Sequence, residues 1–105
     1  HAGRGHRIFP DYALHYDNKP NDEKAQVLIE AKYHMKNNQE VEAAFLQAFS
    51  YAKLLMSSLI VLCDKECILV YDNKNGFSRS RYKKYYWEDM KNPDLYNELK
   101  NKLNI

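Results

Sequence analysis

With 105 residues, a net charge of +2, 45% hydrophobic and 29% charged residues, the chain is sized for one domain around one core. Its charge is too small to argue nucleic-acid binding on its own. Two cysteines exclude a disulfide framework, and there is neither an apolar run of membrane-spanning length nor a signal-peptide pattern.

Residues 1–6, H-A-G-R-G-H, are glycine-rich and lead directly into a strand pattern, as in a small complete protein or a piece of a longer one. Residues 8–16, I-F-P-D-Y-A-L-H-Y, read as a strand. Pro10 lacks an N–H and belongs at an edge, a bulge or the strand's start. Alternation puts Asp11 on one face with Phe9, Ala13 and His15, and Tyr12, Leu14 and Tyr16 on the other. Residues 17–24, D-N-K-P-N-D-E-K, hold turn-forming and charged residues with no apolar one, and read as a polar loop closing an antiparallel hairpin.

The second arm is 27–34, V-L-I-E-A-K-Y-H. Glu30 and Lys32 lie two residues apart and share a face. Val27, Ile29, Ala31 and Tyr33 take the other, which is the face expected to be buried under a helix. The hairpin brings Asp11 opposite Glu30 and Lys32, although the register is not readable from the sequence. Taken alone, E-x-K is a surface ion pair on an edge strand more often than a site.

Residues 37–56 carry the clearest helix pattern. Asn37 serves as N-cap with Glu40 three residues on, and Val41, Ala44, Phe45, Ala48, Phe49, Ala52 and Leu55 recur at helical spacing. Gln47 and Tyr51, four apart, share a face. The apolar run 59–63, L-I-V-L-C, suits a strand buried on both faces, parallel to its predecessor after the crossover helix. Residues 64–66 turn the chain, 67–71 make another strand, and 72–76 another turn. Residues 81–87 read as a last strand or an extended segment, with Trp87 as core. A short helix follows over 94–103, with Pro93 at its start and Leu95, Leu99 and Leu103 in one stripe. The whole is a mixed α/β arrangement with an antiparallel entry and a parallel step. Cys63 and Cys67 read as buried or half-buried free thiols, which fits a cytoplasmic protein.

The order Pro10-Asp11, polar loop, Glu30-Ala31-Lys32 resembles the P-D…(D/E)-x-K signature of the restriction-endonuclease-like nuclease superfamily. Q-A-F-S-Y, Gln47 to Tyr51, looks like the Q-x-x-x-Y motif of its RecB-like branch. The run P-D-Y-A-L…V-L-I-E-A-K…Q-A-F-S-Y-A…L-V-Y-D, with the tail Y-W-E-D-M-K-N-P-D-L-Y-N-E-L, is similar to the N-terminal nuclease domain of type I restriction enzyme R subunits, over residues 7–103. Each motif alone is degenerate; the order and spacing carry the likeness.

The resemblance implies a restriction-endonuclease-like α/β fold and a metal-dependent DNA endonuclease. Asp11 and Glu30 would hold Mg²⁺ (Mn²⁺ as substitute) together with the main-chain carbonyl of Ala31. Lys32 would orient water and offset developing charge, and Gln47 and Tyr51 would brace the site or touch DNA. It also implies double-stranded DNA, a translocase and other restriction subunits as partners. No Walker-type phosphate loop is present, so a motor would lie elsewhere. Family members carry a helix before the P-D strand, for which the residues ahead of Pro10 leave no room; without it, one side of the sheet is expected to be uncovered.

Two alternatives stay open: a catalytically silent DNA-binding or assembly module of the same fold, and a small α/β interaction domain. Arg79, Arg81, Lys83 and Lys84, in S-R-S-R-Y-K-K, read equally as DNA phosphate grips and as a solvated strand or loop. His15 and His34 fit the carboxylate face as phosphate contacts, or a polar sheet edge.

Overall fold

A computed structural model describes residues 11–105. The expected strand residues Ile8, Phe9 and Pro10 lie outside the described residues. The elements run β1 (Tyr12–Lys19), β2 (Asp22–Ala31), α1 (Asn38–Leu55), β3 (Leu59–Cys63), β4 (Cys67–Asp72), β5 (Lys83–Tyr86), a 3₁₀ helix (Trp87–Lys91) and α2 (Pro93–Leu103). The strands form one sheet in the order β1-β2-β3-β4-β5. All neighbours are antiparallel except β2 and β3, which α1 joins in parallel. This is a small α/β fold with a five-stranded mixed sheet and two helices, with the hairpin and the parallel crossover step expected from the sequence.

The hairpin differs from the loop expected over 17–24. Lys19 pairs with Asp22, and only Pro20 and Asn21 lie between the strands. Proline followed by a residue at positive φ (Asn21, 61°) is the pattern of a type II turn. The polar residues around it stay in the ladder because β1 is an edge strand and this end of the hairpin faces water. No core demands apolar side chains there. Lys19 sits 3.5 Å from Asp17, and Lys24 3.7 Å from Asp22, each along one strand face.

Helix α1 begins as the sequence suggested. Asn37 accepts from the N–H of Glu40 at 2.9 Å, and the Glu40 carboxylate reaches back to the N–H of Lys36 at 3.2 Å, one residue beyond the usual capping box. Met56 closes it in the left-handed conformation. Ala44, Ala48 and Ala52 recur every four residues on the buried side, so the helix axis approaches the sheet closely.

Two apolar clusters flank the sheet. On one face Leu28, Ile60, Leu62, Leu69 and Tyr71 pack against Ala44, Phe45, Ala48 and Ala52 of α1. On the other, Val27, Val61, Ile68, Val70 and Tyr85 pack with Leu99 and Leu103 of α2. Each buried Leu, Ile or Val contributes about 1.5–3 kcal/mol of hydrophobic stabilisation. Both faces of β2 are therefore buried. Helix α1 lies on the Leu28–Glu30 face, not on the Ile29–Ala31 face expected for it, and Ala31 and Tyr33 are exposed. The expectation of an uncovered side is corrected: α2 lies on the face opposite α1, so each face of the sheet carries a helix. Helix α2 starts at Pro93, with the Asn92 side chain accepting from the N–H groups of Asp94 and Leu95.

Two further expectations are corrected. His15 has φ of 55°, and its Nε2 lies 2.9 Å from the carbonyl oxygen of Leu103, so its ring joins the α2 side and leaves the face of the carboxylates. Trp87 is not core: it is 47% exposed, with its indole N–H donating to the carbonyl of Asp64 at 2.7 Å. Among the described residues no helix is long and apolar enough to cross a membrane.

Candidate functional site

Because β2 and β3 run parallel and β1 antiparallel to β2, one end of the sheet collects the start of β1 and the ends of β2 and β3. Tyr12 pairs with Ile29, which brings Asp11 level with Glu30. The Asp11 carboxylate bridges the strands, its Oδ2 accepting from the N–H of Ala31 at 2.8 Å. On the other side of the strand, the N–H of Lys32 donates to the carbonyl of Cys63 at 2.9 Å. A residue in a strand projects its N–H and C=O to the same edge. The carbonyl of Ala31 is thus on the Asp11 side, away from the β3 ladder.

Glu30 is the unusual residue. It is 1% exposed, lies on the face under α1, and its Oε1 has no hydrogen-bond partner among the described residues. Burial pushes its carboxyl above the ordinary glutamate range, and the Asp11 charge pushes the same way. The Lys32 ammonium and the main-chain N–H of Asp11 oppose them without winning. Withdrawing an ionised carboxylate from water costs several kcal/mol, and an exposed ion pair returns about 1 kcal/mol at most. A group held at such a disadvantage next to a like charge marks a candidate site.

Lys32 and α1 are joined by a short polar chain. Lys32 Nζ donates to Gln47 Oε1 at 3.1 Å, and Gln47 Nε2 donates to the Tyr51 hydroxyl at 3.4 Å. Gln47 is exposed, whereas Tyr51 is buried in the core under α1. The helical spacing of four and the packing of α1 on the Glu30 face together create this link. Beside it opens a groove of about 240 Å³ lined by Lys32, His34, Met35, Glu40, Ala43 and Gln47. His34 is on the same side as Lys32, with Nε2 3.6 Å from Glu66 Oε1.

The fold thus brings Asp11, Glu30, Ala31, Lys32, Gln47 and Tyr51 into one connected cluster. It keeps Arg79, Arg81, Lys83 and Lys84 apart from it. Arg79 is ion-paired with Glu42, and Arg81 with Asp72 at 2.9 Å. Lys83 lies 5.8 Å from the Tyr85 ring centroid and Lys84 5.0 Å from that of Tyr86. Both lysines are on β5, three strands from β2, or roughly 14 Å at the usual strand spacing.

The oxygens of Asp11 and Glu30 and the Ala31 carbonyl are hard donors of the kind a small divalent cation takes, and the unpartnered Glu30 Oε1 is an acceptor in need of a positive partner. Among the described residues, no group of three or more His, Cys, Asp or Glu side chains forms a metal-ligand set. Two carboxylates and a main-chain carbonyl make a smaller set than that.

Sequence reasoning missed Asp64, read only as part of a turn. It is 7% exposed, and its carboxylate accepts from the N–H groups of Met35 at 2.9 Å, Glu66 at 2.8 Å and Cys67 at 2.9 Å. Burial pushes its carboxyl up, but these donors outweigh burial and hold it at about 2. The two local bonds follow the Asx-turn pattern and were legible in D-K-E-C; the bond to Met35, far away in sequence, was not. Cys63 and Cys67, beside this turn, are half-buried free thiols as expected.

Comparison of the chain with protein-family models, with curated proteins and with solved structures returned no match.

Proposed function

We propose that the chain is a magnesium-dependent DNA endonuclease domain of restriction-endonuclease-like fold, resembling the N-terminal nuclease domain of type I restriction R subunits. One observation carries the reading. Glu30 is buried with an unpartnered oxygen beside Asp11, at the end of a strand whose next-but-one residue is a lysine. Structural carboxylates find donors; this one is kept short of them.

In this reading Asp11, Glu30 and the Ala31 carbonyl hold Mg²⁺, with Mn²⁺ as substitute. The bound cation supplies Lewis-acid polarisation of the phosphate and a lowered pKa for water. Lys32 stands one strand step from Glu30, its amine directed by Gln47, and places a positive charge where the phosphate gains negative charge. Gln47 and Tyr51 are positioning residues acting through Lys32. Double-stranded DNA is the substrate. Translocation and sequence choice fall to other domains or subunits.

The test is to incubate the chain with supercoiled plasmid and Mg²⁺ or Mn²⁺ beside Asp11→Ala and Lys32→Ala. Metal-dependent nicking or linearisation lost in both variants is the expected result. A second reading, a catalytically silent DNA-binding or assembly module, is favoured by the engagement of the Lys32 amine with Gln47. It predicts DNA binding without cleavage and insensitivity to Lys32→Ala. Neither binding nor cleavage overturns both.

A further inference from the structure

The end of the sheet that holds Asp11 and Glu30 continues past them as a rim of exposed rings and lysines. Tyr33, one residue beyond Lys32, is 84% exposed, and Lys65 Nζ lies 5.2 Å from its ring centroid. Lys65 belongs to the turn between β3 and β4. That turn also fixes Trp87, whose main-chain N–H donates to the Glu66 carbonyl at 3.0 Å and whose indole N–H donates to the Asp64 carbonyl at 2.7 Å. Trp87 is half-exposed with its ring orientation set from below. Tyr86 beside it, also half-exposed, has the Lys84 ammonium 5.0 Å from its ring centroid. These contacts link Tyr33 to Trp87 through residues 64–66. The pairing of Cys67 with Tyr86 places the end of β5 at this same end of the sheet.

Burying aromatic rings is the default, because each removes a large apolar area from water. Three exposed rings at one end of the sheet, one of them hydrogen-bonded through its indole N–H and two with a lysine ammonium over the ring, suit a ligand that is both planar and anionic. Unpaired bases on a phosphate backbone meet both demands: the π faces stack and the ammonium groups meet phosphates. A duplex hides its base faces and gains nothing from the rings.

We infer that this rim, formed by Tyr33, Lys65, Tyr86 and Trp87, binds single-stranded DNA next to the Asp11–Glu30 site. The inference rests on the nuclease reading and adds to it that an unpaired stretch of the double-stranded substrate is held beside the cleavage site. The rim spans three strand spacings, roughly 14 Å, enough for a few nucleotides.

Trp87 is the only tryptophan in the chain, so its fluorescence reports the rim alone. The experiment titrates the full chain, in EDTA to prevent cleavage, with an oligothymidylate of about ten nucleotides. The expected result is quenching of Trp87 by the single strand but not by a duplex of equal length. Binding should weaken about tenfold in Tyr33→Ala and be retained in Tyr33→Phe. Lys65→Gln should lower the salt dependence by about one phosphate contact. Tyr33 and Lys65 are exposed, so these variants keep the fold. Absence of quenching, equal quenching by the duplex, or unchanged affinity in Tyr33→Ala overturns the inference. Plasmid cleavage without quenching removes the rim and leaves the nuclease; quenching that survives in a chain unable to cleave removes the nuclease and leaves the rim.

Discussion

Glu30, near the end of β2, and Asp64, just past the end of neighbouring β3, lie at the same end of the sheet, and both carboxylates are withdrawn from water. Three main-chain N–H groups converge on Asp64 and outweigh the cost of its burial, so the group stays ionised far below neutrality. Glu30 sits beside another carboxylate with one oxygen unpartnered, so burial works against it. Depth is common to both, and the supply of donors separates them. Asp64 ties the segment after β2 to the turn after β3, and so holds in place the strand end from which Lys32 projects. Glu30 has the main-chain N–H of Asp11 against the three donors of Asp64, and its cost is explained if something positive arrives.

The largest effect that tests this contrast is the loss of Asp64. Asp64→Ala strands three donors and should cost about 3 kcal/mol in urea unfolding, with Asp64→Asn intermediate. The pH dependence follows from the depressed folded pKa. Stability from Asp64 is fully present above the unfolded carboxyl range and is lost as pH falls toward about 2, an interval worth about 2 kcal/mol. An acid titration of stability should therefore flatten over that interval in Asp64→Asn. A loss below about 1 kcal/mol in Asp64→Ala would reduce Asp64 to an ordinary turn residue.

The same contrast shows what the sequence made legible. Periodicity located β1 to β4 and both α-helices and left residues 81–87 open between a strand and an extended segment, because each buried stripe has the period of its element: Val27 through Ile29 and residues 59–63 for the sheet, the Ala44–Ala48–Ala52 row for α1. The chemical set Asp11, Glu30 and Lys32 was legible as residue types at a spacing. Which face α1 would cover was not, since β2 is apolar on both sides of Glu30 and alternation cannot say which side receives the longer helix. The hairpin tip was misread because a solvent-facing ladder needs no apolar residues. His15 was misplaced because a positive φ breaks the alternation on which its face was assigned. Asp64 escaped because its decisive donor, the N–H of Met35, lies 29 residues away.

Next in size is Glu30→Gln. The raised folded pKa of Glu30 means that its contribution is most favourable below the unfolded glutamate range and is lost as pH rises through the folded value. At neutral pH the wild-type chain bears that penalty. The neutral amide removes it, so Glu30→Gln should raise stability by about 1 kcal/mol at pH 7, with the gain shrinking toward acid. It should at the same time abolish cleavage and any Mg²⁺-dependent rise in Tm. A variant that is destabilised at all pH values would show that Glu30 is a satisfied structural carboxylate like Asp64, and the contrast would collapse.

The smallest effect on stability belongs to Gln47. It is exposed, and its replacement by alanine should change unfolding free energy by no more than about 0.5 kcal/mol. Its bond to Lys32 gives it a larger kinetic role. Released from Gln47, the lysine side chain samples its rotamers freely, and the chemical step should slow about tenfold with little change in KM. Gln47→Glu keeps an acceptor for the amine and should recover most of that loss. If Gln47→Ala and Gln47→Glu cleave alike, Lys32 is positioned by something else. The polar link from Lys32 to Tyr51 would then be a feature of the helix surface, and the site would reduce to Asp11, Glu30 and Lys32 at the strand ends.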